Sequence, residues 1–195
     1  MENLRLFIAC DFSPQTIAKV ALLAKDLRLA LQDVPVRWVS SSNYHLTLQF
    51  LGEVPANKVK TIESALQAVA ATHSSFAMEL AGAGCFPSLR QPQVIWLGIR
   101  LNPQLNRLAY DLHRGLGALG FVDESKFKAH LTLGRLDKYA AEDEKARLGT
   151  QVGAIKDVTI GQDVFSEIAL YRSVLTPGGP VYTTLVRAKL QNMLN

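Results

Sequence analysis

Apolar residues in this chain recur at two spacings, and the switches between them mark out most of its elements. Leu4 to Ala9 is a continuous apolar run with a β-branched residue, which predicts a strand. Ser13-Pro14 has the form of a helix start, with serine as N-cap and proline in the first turn. Ile17, Val20, Ala21, Ala24, Leu27 and Leu31 follow at helical spacing. Val36 to Val39 predicts a short strand, Ser40 to Asn43 a polar turn, and His45 to Leu51 a strand closed by Gly52. Pro55 is expected to open a second helix, with the stripe Val59, Ile62, Leu66 and Val69. Phe76 to Leu80 predicts a strand. Gly82, Gly84, Pro87 and Pro92 then predict a loop over 82–92, long enough to cover a groove. Val94 to Ile99 predicts a strand, and Pro103 starts a helix carrying Leu105, Leu108, Leu112, Leu116 and Leu119. His130 to Leu136 is the next strand, followed by a short polar helix, Ala140 to Leu148, ended by Gly149. Strands are expected near 158–160, 165–173 and 182–190, with Thr176-Pro177-Gly178-Gly179-Pro180 as the last turn.

Strands follow one another directly in several places, which argues for α+β with mainly antiparallel sheets rather than a doubly wound parallel sheet. The 195 residues are 48% hydrophobic and 19% charged, enough to bury a core and too apolar for disorder. The N-terminal apolar run is broken by Glu2 and Arg5, unlike a signal peptide, and no stretch reaches membrane-span length. A cytoplasmic protein with no membrane partner is expected. Cys10 and Cys85 are then two reduced thiols. A net charge of +4 suits a polyanionic partner, although no Lys/Arg run marks a tight non-specific binder.

One internal repeat changes the picture. His45-Leu46-Thr47-Leu48 recurs as His130-Leu131-Thr132-Leu133, at an offset of 85 residues, close to half the chain. Alternation along a strand puts His45 and Thr47 on one face and Leu46, Leu48 and Phe50 on the other. The same holds for His130 and Thr132 against Leu131 and Leu133. One such strand would be an ordinary sheet with a wet face. Two identical ones point to two related lobes, each supplying a His-x-Thr pair. Cleaving a phosphodiester needs one base and one acid, and histidine's ordinary pKa of about 6.5 allows either role near neutrality. Threonine hydroxyls can donate to non-bridging phosphate oxygens. Neither strand places Asp, Glu or Cys beside its histidine, so no metal or other cofactor is expected.

Paired His-x-Thr-x strands resemble the 2H phosphoesterases. The wider layout is similar to their bacterial and archaeal branch of RNA 2′,3′-cyclic phosphodiesterases, once called 2′-5′ RNA ligases. The resemblance rests on Arg5-Leu6-Phe7-Ile8-Ala9, on 43–53 around the first motif and on Val94-Ile95-Trp96-Leu97-Gly98. It continues through His130-Leu131-Thr132-Leu133-Gly134-Arg135 and Leu170-Tyr171-Arg172-Ser173. It implies one domain over 1–195, bilobal and pseudo-symmetric, with two antiparallel sheets facing a central groove and helices packed outside. Its intertwined lobes would each supply one His-x-Thr-x strand, 45–48 and 130–133. It implies hydrolysis of RNA 2′,3′-cyclic phosphate ends, tRNA fragments among them, to 2′-phosphates. His45 would be the proton donor and His130 the proton acceptor, with the roles exchanged in the reverse, ligating direction. Thr47 and Thr132 would hold the phosphate. Arg135 is added as a substrate-binding residue, provided that Gly134 permits a bulge or bend that returns it to the groove.

Other candidates stay outside the site. His73 reads as a solvated loop residue and His113 as a helix-boundary residue facing water. Tyr44, Trp38 and Phe50 read as packing. Arg37 and Arg90 are candidates for the groove mouth, and Lys126 and Lys128 precede the second motif. With no heptad or long apolar surface run, a monomer is expected. Two rival functions share these residues: a phosphodiesterase for another 2′-5′ or cyclic nucleotide, and an RNA-end or nucleotide binding protein without turnover.

Overall fold

The computed structural model describes residues 2–122 and 127–192. In chain order these give β1 (Asn3–Asp11), α1 (Pro14–Ala30), β2 (Val36–Trp38), β3 (His45–Pro55), α2 (Val59–Ala70), β4 (Phe76–Pro87) and β5 (Pro92–Ile99). They continue with α3 (Pro103–Gly117), β6 (His130–Leu136), α4 (Glu142–Ala154), β7 (Thr159–Phe165), β8 (Glu167–Thr176) and β9 (Gly179–Lys189). The α+β class and the antiparallel pairing agree with the sequence. Ser13 caps α1 by accepting from the Thr16 N–H at 3.3 Å, ahead of Pro14. Asn102 caps α3 through the amides of Gln104 and Leu105.

Several boundaries differ from these expectations, and three have a cause visible in the structure. Strand β3 runs on through Gly52, whose φ of 70° is open to glycine, as far as Pro55, so Pro55 ends a strand rather than opening a helix. The expected loop over 82–92 is mostly strand, because β4 pairs with β5 from Leu80 to Pro87. Gly84 makes room rather than a turn, since a Cβ there would lie 2.4 Å from the indole of Trp96, and Gly82 takes a φ of 81° where β4 shifts register. The segment is therefore mostly paired strand rather than a loop. Helix α4 also continues past Gly149 to Ala154. A Cβ on Gly149 would meet the Leu89 carbonyl oxygen at 2.0 Å, so this glycine lets the helix lie against the β4–β5 turn.

The strands are ordered β7-β4-β5-β6-β3-β1-β8-β9, with β2 also paired to β6. The two expected sheets are thus two halves of one sheet. They meet between the repeat strands, β6 and β3, at the pair Leu46 and Leu131. Both leucines are fully buried, and each such burial contributes roughly 1.5–3 kcal/mol. The halves are interlaced. Helix α1 follows β1 but packs on β7, and α3 follows β5 but packs on β3. Among the described residues no helix is long and apolar enough to cross a membrane.

Candidate active site

Both repeat strands begin with the expected alternation: His45, Thr47, His130 and Thr132 are half-buried, and Leu46, Leu48, Leu131 and Leu133 are buried. Reading outward from the antiparallel Leu46–Leu131 pair, His45 lies towards Thr132 and Thr47 towards His130. Two His-x-Thr pairs therefore share one face across a local pseudo-dyad, and the charge of His130 is felt at His45.

After each motif the alternation slips by one residue. On β3, Ala9 pairs with Thr47 but Ile8 with Gln49, leaving Leu48 as the extra residue of a bulge. On β6, Trp96 pairs with Thr132 but Ile95 with Gly134, leaving Leu133 as the extra residue. Leu48 and Gln49 are both buried in consequence, as are Leu133 and Gly134. Phe50 and Arg135 turn onto the His/Thr face. Phe50 is 59% exposed, with its ring 6.1 Å from that of Phe7, so its expected place on the leucine face is corrected. Arg135 comes onto the His/Thr face through the bulge at Leu133, beside Gly134. Its charge is felt at His130 and, across the groove, at Tyr182.

Each imidazole is held the same way. His45 Nδ1 lies 2.7 Å from the Asn43 carbonyl, and His130 Nδ1 lies 2.6 Å from the Lys128 carbonyl. A carbonyl only accepts, so Nδ1 carries the hydrogen in both rings and Nε2 is left to gain or lose a proton. His45 Nε2 is 3.0 Å from the Thr47 hydroxyl, which donates to it when the ring is neutral. Aromatic rings wall in both histidines. Phe7 and Tyr182 lie 5.0 and 5.3 Å from His45, and Phe86 meets His130 edge-on at 4.9 Å.

That enclosure lowers the pKa of both rings, since burial penalises the imidazolium. The nearby charges differ. Asp11, which pairs with His45 across β1 and β3, favours a protonated His45. Arg135 and Lys128 favour a neutral His130. Asp11 is itself fixed by the Tyr171 hydroxyl at 2.5 Å and by Arg187 at 2.9 Å.

Phe7, Asp11, Phe86, Tyr171 and Tyr182 were not singled out as groove residues by sequence. Phe7 sits in an apolar run that reads as core, and only the strand's pairing shows which face it takes. His73 is not a solvated loop residue. It is 8% exposed, and its Nε2 lies 3.2 Å from Asp111. His113 does not simply face water; its Nε2 donates to the carbonyl of the bulge residue Leu48 at 3.0 Å. Tyr44 is buried, and Trp38 is half-buried beneath Arg28. Arg37 lies opposite Arg135 on β2, and Arg90 is exposed in the β4–β5 turn. Lys126 lies outside the described residues.

Comparison with known proteins places this groove in a family. A family model described as LigT like phosphoesterase matches residues 11–96 and 99–182. An RNA 2′,3′-cyclic phosphodiesterase of Archaeoglobus fulgidus is 35% identical over 93% of this chain and 98% of its own length. The Methanothermobacter thermautotrophicus protein of the same name is 32% identical over 94% of this chain and 97% of its own. Among solved structures, Escherichia coli LigT complexed with 3′-AMP aligns with a TM-score of 0.76 and 28% identity, covering 97% of this chain and 99% of that one. With two His-x-Thr strands meeting in one groove and the family model matched along most of its length, this chain belongs to the LigT-like 2H phosphoesterases.

Proposed function

We propose that the protein hydrolyses the 2′,3′-cyclic phosphate at an RNA end to a 2′-phosphate, using His130 as base and His45 as acid. The relatives' shared name supplies the substrate class. The observation that carries the mechanism is the matched pinning of the two rings, each with Nδ1–H spent on a backbone carbonyl and Nε2 left to titrate.

In this reading the phosphorus sits between the two Nε2 atoms. Neutral His130 removes a proton from water as the oxygen attacks phosphorus. The bond from phosphorus to the 3′ oxygen breaks on the opposite side, and His45 delivers its proton to that oxygen. Thr47 and Thr132 donate to the non-bridging oxygens, and Arg135 balances the charge that grows on them. The local charges support this orientation: Asp11 favours the imidazolium at His45, and Arg135 and Lys128 favour the free base at His130. The anionic substrate favours protonation in the complex and offsets the burial that lowers the pKa of His45. Attack by a 5′-hydroxyl in place of water would give a 2′-5′ linkage through the same clamp. The chain is read as one catalytic domain of two intertwined lobes, neither complete without the other's histidine.

The test is a short RNA ending in a 2′,3′-cyclic phosphate, incubated with chelator and either intact protein, His45→Ala or His130→Ala. Conversion to the 2′-phosphate, reduced at least ~100-fold in each variant, is the expected result. Formation of a 3′-phosphate, dependence on a divalent metal, or full activity in either variant would overturn the mechanism.

A further inference from the structure

The two ends of the groove carry different charge, although the repeat makes them equivalent in backbone. Along β3 the groove-face residues beyond Thr47 are Phe50 and Glu53, and Glu53 pairs with Arg5 of β1. At the same offset of 85 residues the second lobe has Arg135 and Lys138. Here the residue opposite Arg135 is another arginine, Arg37 of β2. Directly opposed residues of an antiparallel pair share a face, and like charges so placed repel. Gly134, which precedes Arg135 and pairs with Trp38, fixes the direction of Arg37. A Cβ on Gly134 would lie 2.8 Å from Val36 and 3.3 Å from Trp38, so both neighbours of Arg37 occupy the far face and Arg37 takes the groove face. Among the described residues six arginines form ion pairs, and Arg37 and Arg135, like Arg5, Arg28 and Arg90, do not; of these five, only Arg37 and Arg135 stand directly opposite each other.

A repelling, unneutralised arginine pair is not required by the strand geometry, since the matching place in the first lobe holds a phenylalanine and a balanced pair. The pair lies next to Thr132, on the path by which β6 leaves the groove towards Lys138. We infer that this end is a second phosphate site: Arg37, with Arg135 between it and the terminal phosphate, binds the phosphodiester that precedes the terminal nucleotide, so the enzyme distinguishes an RNA end from a free cyclic mononucleotide. The inference rests on the RNA-end reading above. The terminal cyclic phosphate occupies the His/Thr clamp, and the remaining RNA extends outward along β6. Two guanidiniums side by side match the charge of backbone phosphate and carry no base preference.

The test uses Arg37→Gln and Arg37→Lys, with a fluorescent hexaribonucleotide ending in a 2′-phosphate and a cyclic mononucleotide substrate. Arg37→Gln is expected to weaken hexamer binding roughly three- to tenfold and to flatten its salt dependence by about 0.7 of one logarithmic slope unit, the share of a single phosphate contact on a single strand. Arg37→Lys should keep most of the affinity. Turnover of the cyclic mononucleotide should stay within about twofold of wild type in both variants. Wild-type hexamer affinity in Arg37→Gln, no measurable hexamer binding by the wild type, or equal losses on hexamer and mononucleotide would each overturn the second site. Arg37-dependent hexamer binding with no opening of an RNA 2′,3′-cyclic end by the wild type would instead sink the catalytic reading and leave the phosphate site standing.

Discussion

Phe50 and Arg135 occupy equivalent positions in the two repeat strands, each five residues beyond its histidine and each swung onto the histidine face by a bulge that opens at a leucine. The lobes therefore share a backbone device and differ in what it presents. One presents an aromatic face beside Phe7, and the other a guanidinium beside His130. A symmetric clamp of histidines and threonines becomes a polar groove with two distinct ends.

The charges around the two rings should separate the limbs of the pH–rate profile. His130 accepts a proton only when neutral, so kcat/KM falls as pH drops through its pKa, which burial, Arg135 and Lys128 hold below the ordinary value. Arg135→Gln lets that pKa rise and should move the acid limb to higher pH. His45 donates only when protonated, so the alkaline limb follows it. Asp11→Asn removes the anion that favours its protonated form and should move that limb to lower pH. Profiles of kcat/KM between about pH 5 and about pH 9 check both signs. Shifts in the opposite limbs would exchange the roles of the two histidines.

Gly134 is predicted to be intolerant of a side chain. Its added Cβ would press on Val36, whose branched side chain has few alternative rotamers. Gly134→Ala should cost about 1–3 kcal/mol by urea unfolding and should displace β2 with Arg37. Wild-type stability in this variant would mean that the β2–β6 contact is looser than described.

Two helical glycines should respond oppositely to alanine. Gly149→Ala puts a methyl group into the Leu89 carbonyl and should destabilise by at least about 2 kcal/mol, because backbone must move. Gly117, at the last residue of α3, has open space around it, and Gly117→Ala should be neutral or should stabilise by up to about 1 kcal/mol. Thermal melts of the two variants side by side decide the point.

The cysteines should be silent to thiol reagents in the native protein. Cys10 is fully buried with its thiol pushed far up by desolvation. Cys85 is buried with its pKa raised to about 11. Titration with a disulfide reagent at neutral pH should release thiols only after denaturant is added. Rapid labelling of Cys85 in the native state would show that the β4–β5 hairpin opens.

The sequence by itself determined the local elements and which histidine and threonine share a face. Helical spacing and the Ser13-Pro14 start located α1, and strict alternation put each histidine with its threonine, because side-chain direction within a short strand depends only on neighbours in the chain. The repeat at 85 residues was likewise visible as a pattern of letters. Pairing between distant strands decided the rest. The residue skipped at Leu48 or Leu133 depends on how β1 and β5 align with the repeat strands, so no periodicity within β3 or β6 could show that Phe50 and Arg135 change face. Gly84 and Gly149 read as punctuation because their neighbours, Trp96 and the Leu89 carbonyl, come close only after folding. The joining of the two halves of the sheet at Leu46 and Leu131, which sets both imidazoles on one face, belongs to the same class of long-range contact.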